Sequence, residues 1–135
     1  MHRMIFVSLP VTNLGASIAF YSALGFKLNP AFTDDTAACL GWSESIHVML
    51  LTHAKWRGFT GKPIPPPASS EVSLGLLCES RAEVDKMLQA AKDHGGIADI
   101  NPVQEMEFMY GRDLQDPDGH VLGPFWMDPA ALPKA

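Results

Sequence analysis

Cysteine is scarce. Cys39 and Cys78 are the only two in 135 residues. Both sit in apolar runs, with no C-x-x-C pair and no histidine at zinc-finger spacing. Two buried free thiols are expected, and with them a cytoplasmic protein rather than a disulfide-stapled secreted one. Long hydrophobic runs are also missing: none approaches the ~18–20 residues that span a bilayer. The apolar stretch Met4 to Val11 is too short for a signal peptide and is broken by Ser8 and Pro10. Basic clusters are absent as well. Ten Lys and Arg against fifteen Asp and Glu give a formal charge of −5, which argues against nucleic-acid and anionic-membrane partners. What remains is a chain that is 47% apolar, enough for one folded domain.

The chain reads as one order of elements, used twice. Arg3 to Val11 is β-rich, and Pro10 places it at a sheet edge. Asn13 is a helix N-cap, Leu14, Ile18, Tyr21 and Leu24 recur at helical spacing, and Gly25 stands where a C-terminal glycine belongs. Strands are expected over Phe26–Phe32, Thr36–Trp42 and Ser45–His53. Residues 54–70, with Gly58, Gly61, Pro63 and Pro65 to Pro67, read as a linker. A strand over Glu71–Glu79 follows, then a capping box from Ser80 and Glu83, and a helix with the stripe Val84, Met87, Leu88, Ala91 ending at Gly95-Gly96. Ile97–Val103, Glu105–Leu114 and His120–Met127 complete the second set of strands, and a loose tail runs from Pro129. The expected fold is α+β: two βαβββ modules, residues 3–53 and 71–128, forming a curved mixed sheet cup with helices on the outer face.

These elements resemble a known family. Leu9-Pro10-Val11-x-Asn13-Leu14, Ala19-Phe20-Tyr21 through Leu24-Gly25-Phe26, and Asp116-Pro117-Asp118-Gly119-His120 are similar to stretches of the vicinal-oxygen-chelate superfamily: glyoxalase I, bleomycin-resistance proteins and extradiol dioxygenases. Phe108-Met109-Tyr110-Gly111-Arg112 and Phe125 to Pro129 resemble a bacterial lactoylglutathione-lyase-related branch. In metal-dependent members of that family, four strands each aim one side chain at a shared metal. The resemblance puts those positions at Phe6, Leu50, Ser73 and Gly123. A catalytic divalent cation needs about three ligands from His, Cys, Asp or Glu; this set offers none. Neighbouring same-face residues, taken at period two, add only Glu71 and the hydroxyls of Ser8 and Thr52. The sequence therefore implies no metal and no cofactor.

An apolar cup is implied instead, lined by Phe6, Val48, Leu50, Val121 and Phe125, with Ser8, Thr52 and Ser73 supplying hydroxyls and Gly75 and Gly123 leaving volume. His47 and His53 have the parity opposite to Leu50 and are expected to face away; His2 and His94 are expected at the solvent, and His120 on the turn backbone. Asp116-x-Asp118-Gly119 has the opening of a calcium loop but Met127 at its twelfth position, so a turn explains it better. Two readings stand for Tyr110 and Arg112: a core tyrosine with an edge arginine paired to an acid, or a polar anchor for an anionic or carbonyl ligand. Glu71 is either a buried general base or a solvated strand end. Trp56, Phe59 and Ile64 make the linker a flap or an arm on a second subunit.

Three functional readings follow. The first is a metal-independent small-molecule binding protein of the bleomycin-resistance type, a homodimer as family members commonly are. The second is a glyoxalase-related lyase or isomerase, or a dioxygenase-like enzyme, with a non-standard or relocated site at Glu71, Tyr110 or Arg112 or at an unplaced metal. The third is a dimerising module without a ligand.

Overall fold

The computed structural model describes residues 3–134; His2, expected at the solvent, lies outside them. The chain divides after Ser69 into two units.

In the first unit, β1 (Ile5–Val11) leads into α1 (Leu14–Ala23), followed by β2 (Lys27–Asn29), β3 (Ala37–Gly41) and β4 (Ile46–Thr52). The Asn13 side chain accepts from the Ala16 N–H and starts α1. At the other end Gly25 adopts φ +107°. Its N–H reaches the Ser22 carbonyl, and the Phe26 N–H reaches that of Tyr21, a Schellman closure that a residue with a Cβ resists. The strands lie in the order β1-β4-β3-β2, so β1 is an edge strand as Pro10 requires, and it pairs in parallel with β4. Phe20, Tyr21 and Leu24 of the helix segment pack with Val11, Phe26, Leu40, Val48 and Leu50, all buried. Phe20, Tyr21 and Phe26 meet edge to face. Each such side chain contributes about 1.5–3 kcal/mol by leaving water.

The second unit repeats the order. β5 (Ser73–Cys78) leads into α3 (Arg81–Asp93), and β10 (Val121–Met127) pairs in parallel with β5. Ser80 caps α3 by accepting from the Glu83 N–H, and the Glu83 carboxylate returns to the Glu79 N–H, one residue before the usual capping-box partner. Val84, Met87, Leu88 and Ala91 form the buried stripe. The α+β class and the doubled βαβββ order are those read from the sequence.

Local boundaries differ where side chains compete for the backbone. The strand expected over Phe26–Phe32 stops at Asn29, whose side chain caps a 3-10 turn at Pro30–Phe32. The expected linker opens with a helix, α2 (His53–Phe59), nucleated when the Thr52 hydroxyl accepts from the Lys55 N–H. The strand expected over Ile97–Val103 is only β6 (Ile97–Ala98). It ends beside Asp99, which has φ +55°. The expected Glu105–Leu114 strand is broken into β7 (Gln104–Glu105), β8 (Met109–Gly111) and β9 (Leu114–Gln115), because the Met106 and Met109 backbones close a turn on each other. After β10 the Asp128 side chain caps a further 3-10 turn, Pro129–Ala131, in the expected tail. Among the described residues no helix is long and apolar enough to cross a membrane.

One polar atom in the first unit stands out. The Ser17 hydroxyl, on the buried face of α1, finds no hydrogen-bond partner among the described residues. A buried unpaired hydroxyl costs about 1–3 kcal/mol, and alanine is the better helix former. Ser17→Ala is therefore expected to raise the unfolding free energy by about 1 kcal/mol, read from the urea midpoint at unchanged slope.

Candidate functional site

Each sheet has a helix on one face, and period-two alternation decides which side chains stand on the other. In the first unit the pairing sets out two rows across the open face. Phe6, His47, Gly41 and Lys27 form one; Ser8, Met49, Cys39 and Asn29 form the next. The Phe6 ring stacks on the His47 imidazole at 4.7 Å between centroids and 12° between planes.

This placement corrects the sequence reading of β4. Val48 and Leu50 are buried in the helix-side core, in register with Val7 and Leu9, and do not join Phe6 on the open face. His47, expected to face away, is on that face. Thr52 pairs with Val11 and is occupied in capping α2. The physical reason is that Val48-Met49-Leu50-Leu51 is apolar on both parities, so alternation carried no signal there, and the assignment slipped by one residue. Phe6 and Ser8 do stand on the open face, both exposed.

A cleft of about 580 Å³ lies on this unit, lined by Lys27, Asn29, Gly41, Trp42, Glu44 and His47 among others. His47 Nε2 is 3.0 Å from the Glu44 carbonyl, which only accepts, so Nε2 carries a proton. Nδ1 then faces the Cys39 thiol at 3.9 Å. A side chain at Gly41 would be tight: its Cβ would lie 3.3 Å from His47 Nδ1 and 3.2 Å from the Ser43 carbonyl, so those neighbours would have to give. Burial pushes the Cys39 thiol up, and pushes that of Cys78 up to about 11 with help from the Glu83 charge. Both cysteines are free and buried, so neither is a ready thiolate at neutral pH.

In the second unit, Ser73, Gly75 and Leu77 of β5 share the open face with Val121, Gly123 and Phe125 of β10, as expected. The two glycines serve neighbours within the unit. A Cβ on Gly75 would sit 3.5 Å from the Phe125 ring, and a Cβ on Gly123 would sit 2.9 Å from Asp113 Oδ1. Asp113 thus lays its carboxylate across Gly123, with Oδ2 held by Asn101 Nδ2 at 2.9 Å. The Ser73 hydroxyl approaches the same spot, 3.8 Å from that Cβ position. Sequence reasoning missed Asp113. The one available signal was its parity, opposite to Tyr110 and Arg112 and the same as Gly111.

Tyr110 and Arg112 face α3, away from Gly123 and Phe125. The Tyr110 hydroxyl donates to Asp85 of α3 at 2.5 Å, and Arg112 joins Asp85 at 2.9 Å and Asp99 at 2.9 and 2.6 Å. Arg81, from the first turn of α3, stands over the rings of Tyr110 and Trp126. The geometry supports the paired-arginine reading, with both side chains engaged by Asp85 and Asp99 on the helix side of the sheet. Glu71 is exposed and lies before β5 starts, so it is the solvated strand end and no buried base.

Among the described residues no three His, Cys, Asp or Glu side chains converge to hold a metal ion. The residues at the open-face positions do not fit the metal that the family's metal-dependent members use.

The comparisons agree with this architecture. The chain belongs to the Glyoxalase/Bleomycin resistance protein/Dioxygenase superfamily, whose family model matches residues 3–123. Among solved structures, it is similar to a hypothetical protein from S. aureus at 25% identity and a TM-score of 0.77, over 93% of this chain and 95% of that one. A glyoxalase/bleomycin resistance protein/dioxygenase family enzyme from Burkholderia phytofirmans PsJN is similar at 18% identity and a TM-score of 0.74, over 90% and 96%. The fosfomycin resistance protein FosX from Mesorhizobium loti is similar at 11% identity and a TM-score of 0.67, over 96% of each chain. No curated protein matches the chain.

Two predictions follow from the side chains described. Gly123→Ala is expected to displace the Asp113 carboxylate and cost about 1 kcal/mol, the scale of one lost hydrogen bond. In an Asp113→Ala background the same change should cost nothing; equal costs in both backgrounds, by double-mutant cycle, would show that the two positions are uncoupled. The second concerns pH. Hydrogen bonds from Arg112 hold the Asp99 carboxyl below its ordinary 3.8. The pair's stabilisation is therefore present above that value and is lost as pH falls through the lower folded-state value. Arg112→Gln should destabilise at pH 7, by up to about 1 kcal/mol for so exposed a pair, and the gap to the parent should shrink below pH ~4. Urea unfolding at both pH values measures it.

Proposed function

We propose that this protein is a metal-independent binder of a small, mostly apolar molecule, held on an open sheet face. The observation that carries the reading is Asp113 lying across Gly123. One position where the family's metal-dependent members carry a ligand is a glycine already covered by a neighbour, and Phe6 and Ser73 at two others offer no strong donor. What each face offers is apolar surface with a few polar groups: Phe6 beside Ser8 in the first unit, and Leu77, Val121 and Phe125 beside Ser73 and Asp113 in the second. That composition suits a small-molecule pocket. The relatives named as bleomycin resistance and fosfomycin resistance proteins make antibiotics a sensible part of a ligand search, with the likeness to FosX carrying the fold alone.

The reading includes a homodimer. Its support is the exposure of Met4, Ile5, Phe6 and Ile46, clustered where the edge strand β1 and its partner β4 begin, an apolar group that a second copy would cover.

The test is a thermal-shift screen of metabolites and antibiotics, bleomycin and fosfomycin included, on protein stripped with a chelator and on protein reloaded with zinc, nickel or iron. The expected result is at least one ligand whose shift is the same in both preparations. Stoichiometric metal retained in the reloaded protein, with shifts only there, would replace this reading with a metalloenzyme. Sedimentation of the same sample should give the mass of two chains, and a monomer at high micromolar concentration removes the dimer.

A further inference from the structure

The cleft of the first unit has its own chemistry, and we propose that it binds a planar aromatic monocarboxylate. This rests on the small-molecule reading above and names a ligand class for the cleft beside the edge strand β2, which His47 borders from the open face and Trp42, of opposite parity to Gly41, from the other. A volume of about 580 Å³ lies within the range of small-ligand sites, roughly 300–1,000 Å³.

Two flat side chains line it, and each is fixed from behind before any ligand arrives. The His47 imidazole is backed by the Phe6 ring at 4.7 Å and tied at Nε2 to the Glu44 carbonyl. The Trp42 indole rests against Phe26, which is buried, at 5.3 Å. Gly41 between them carries no side chain, and the His47 ring fills the space that one would take. Rings held in this way lose little freedom on binding and favour a flat partner over a branched one.

Polar donors sit along one edge. Lys27 and Asn29 are two apart on β2 and so share a face. Lys27 is the single Lys or Arg lining the cleft, and among the described residues no salt bridge engages it. Asn29 spends its Oδ1 on the Ala31 N–H, which turns its amide NH₂ into the group on offer. An ammonium and an amide donor together suit a carboxylate. Glu44 lines the cleft as well, and its negative charge disfavours a dianion such as a phosphate monoester.

The test is calorimetric titration of the full chain with naphthoate, naphthamide and naphthyl phosphate. Naphthoate is expected to bind about tenfold tighter than naphthamide, the scale of one charge-assisted contact. Lys27→Ala should bring naphthoate down to the naphthamide level, while Lys27→Arg keeps the difference; Lys27 is exposed, so neither change threatens folding. Glu44→Gln should narrow the gap between naphthoate and naphthyl phosphate. Naphthoate should also shift the backbone amide resonances of residues 25–30 and 41–47. Equal affinity for naphthoate and naphthamide, or naphthoate binding indifferent to Lys27→Ala, overturns the proposal. If the thermal-shift screen still yields a ligand in that event, the small-molecule reading stands and only this ligand class falls; if the screen also yields none, both fall together.

Discussion

The buried carboxylate of Asp116 sets the second unit in order. It is only 1% exposed, and it accepts the N–H groups of Asp118 and His120 while Gly119 takes φ +92°. The backbone N–H of Asp116 in turn reaches the His120 carbonyl. That fixed turn hands the chain to β10, which pairs with β5 on one side and with β8 and β9 on the other. Had the turn been looser by one residue, Leu122 and Gly123 would exchange faces, and every open-face position of the unit would change with them.

Much of this was legible in the sequence, and the reasons are local. Asn13 and Gly25 announce α1 by cap chemistry, and Ser80 with Glu83 announces α3, because the physics of those signals is confined to a few bonded neighbours. The face of β10 was legible too, since Leu122 and Pro124 are buried while Gly123 and Phe125 are not fully so. β4 failed for the opposite reason. Its centre is apolar on both sides, and only its pairing with β1 and β3 reveals which residues look outward. α2 was hidden behind a composition of glycine and proline that begins in earnest only after Phe59.

The polar residues illustrate a second limit. Tyr110 and Arg112 looked functional because an aromatic and a guanidinium stand together. Their partners, Asp85 and Asp99, are 25 and 13 residues away from the groups they bind, and no reading of one strand predicts such partners. Asp113, the residue after Arg112, was overlooked, although it alone of the three reaches the open face. Which side of a strand a charged residue occupies counts for more than which charged residue it is. The mostly apolar faces, and the lack of a converging donor set among the described residues, come from the same alternation, read correctly in β5 and β10 and misread in β4.

The contact between Asp113 and Gly123 also constrains what this chain can become. A carboxylate or imidazole at position 123 is sterically barred while the Asp113 side chain stays where it is, since even the first carbon atom would lie 2.9 Å from its oxygen. Removing Asp113 first strands Asn101, its hydrogen-bond partner. A donor side chain at position 123 therefore displaces that carboxylate at about the cost of the hydrogen bond it gives up, unless Asp113 has changed first. The packing of one oxygen atom over one glycine makes the cost of a side chain at position 123 depend on the order in which the two positions change.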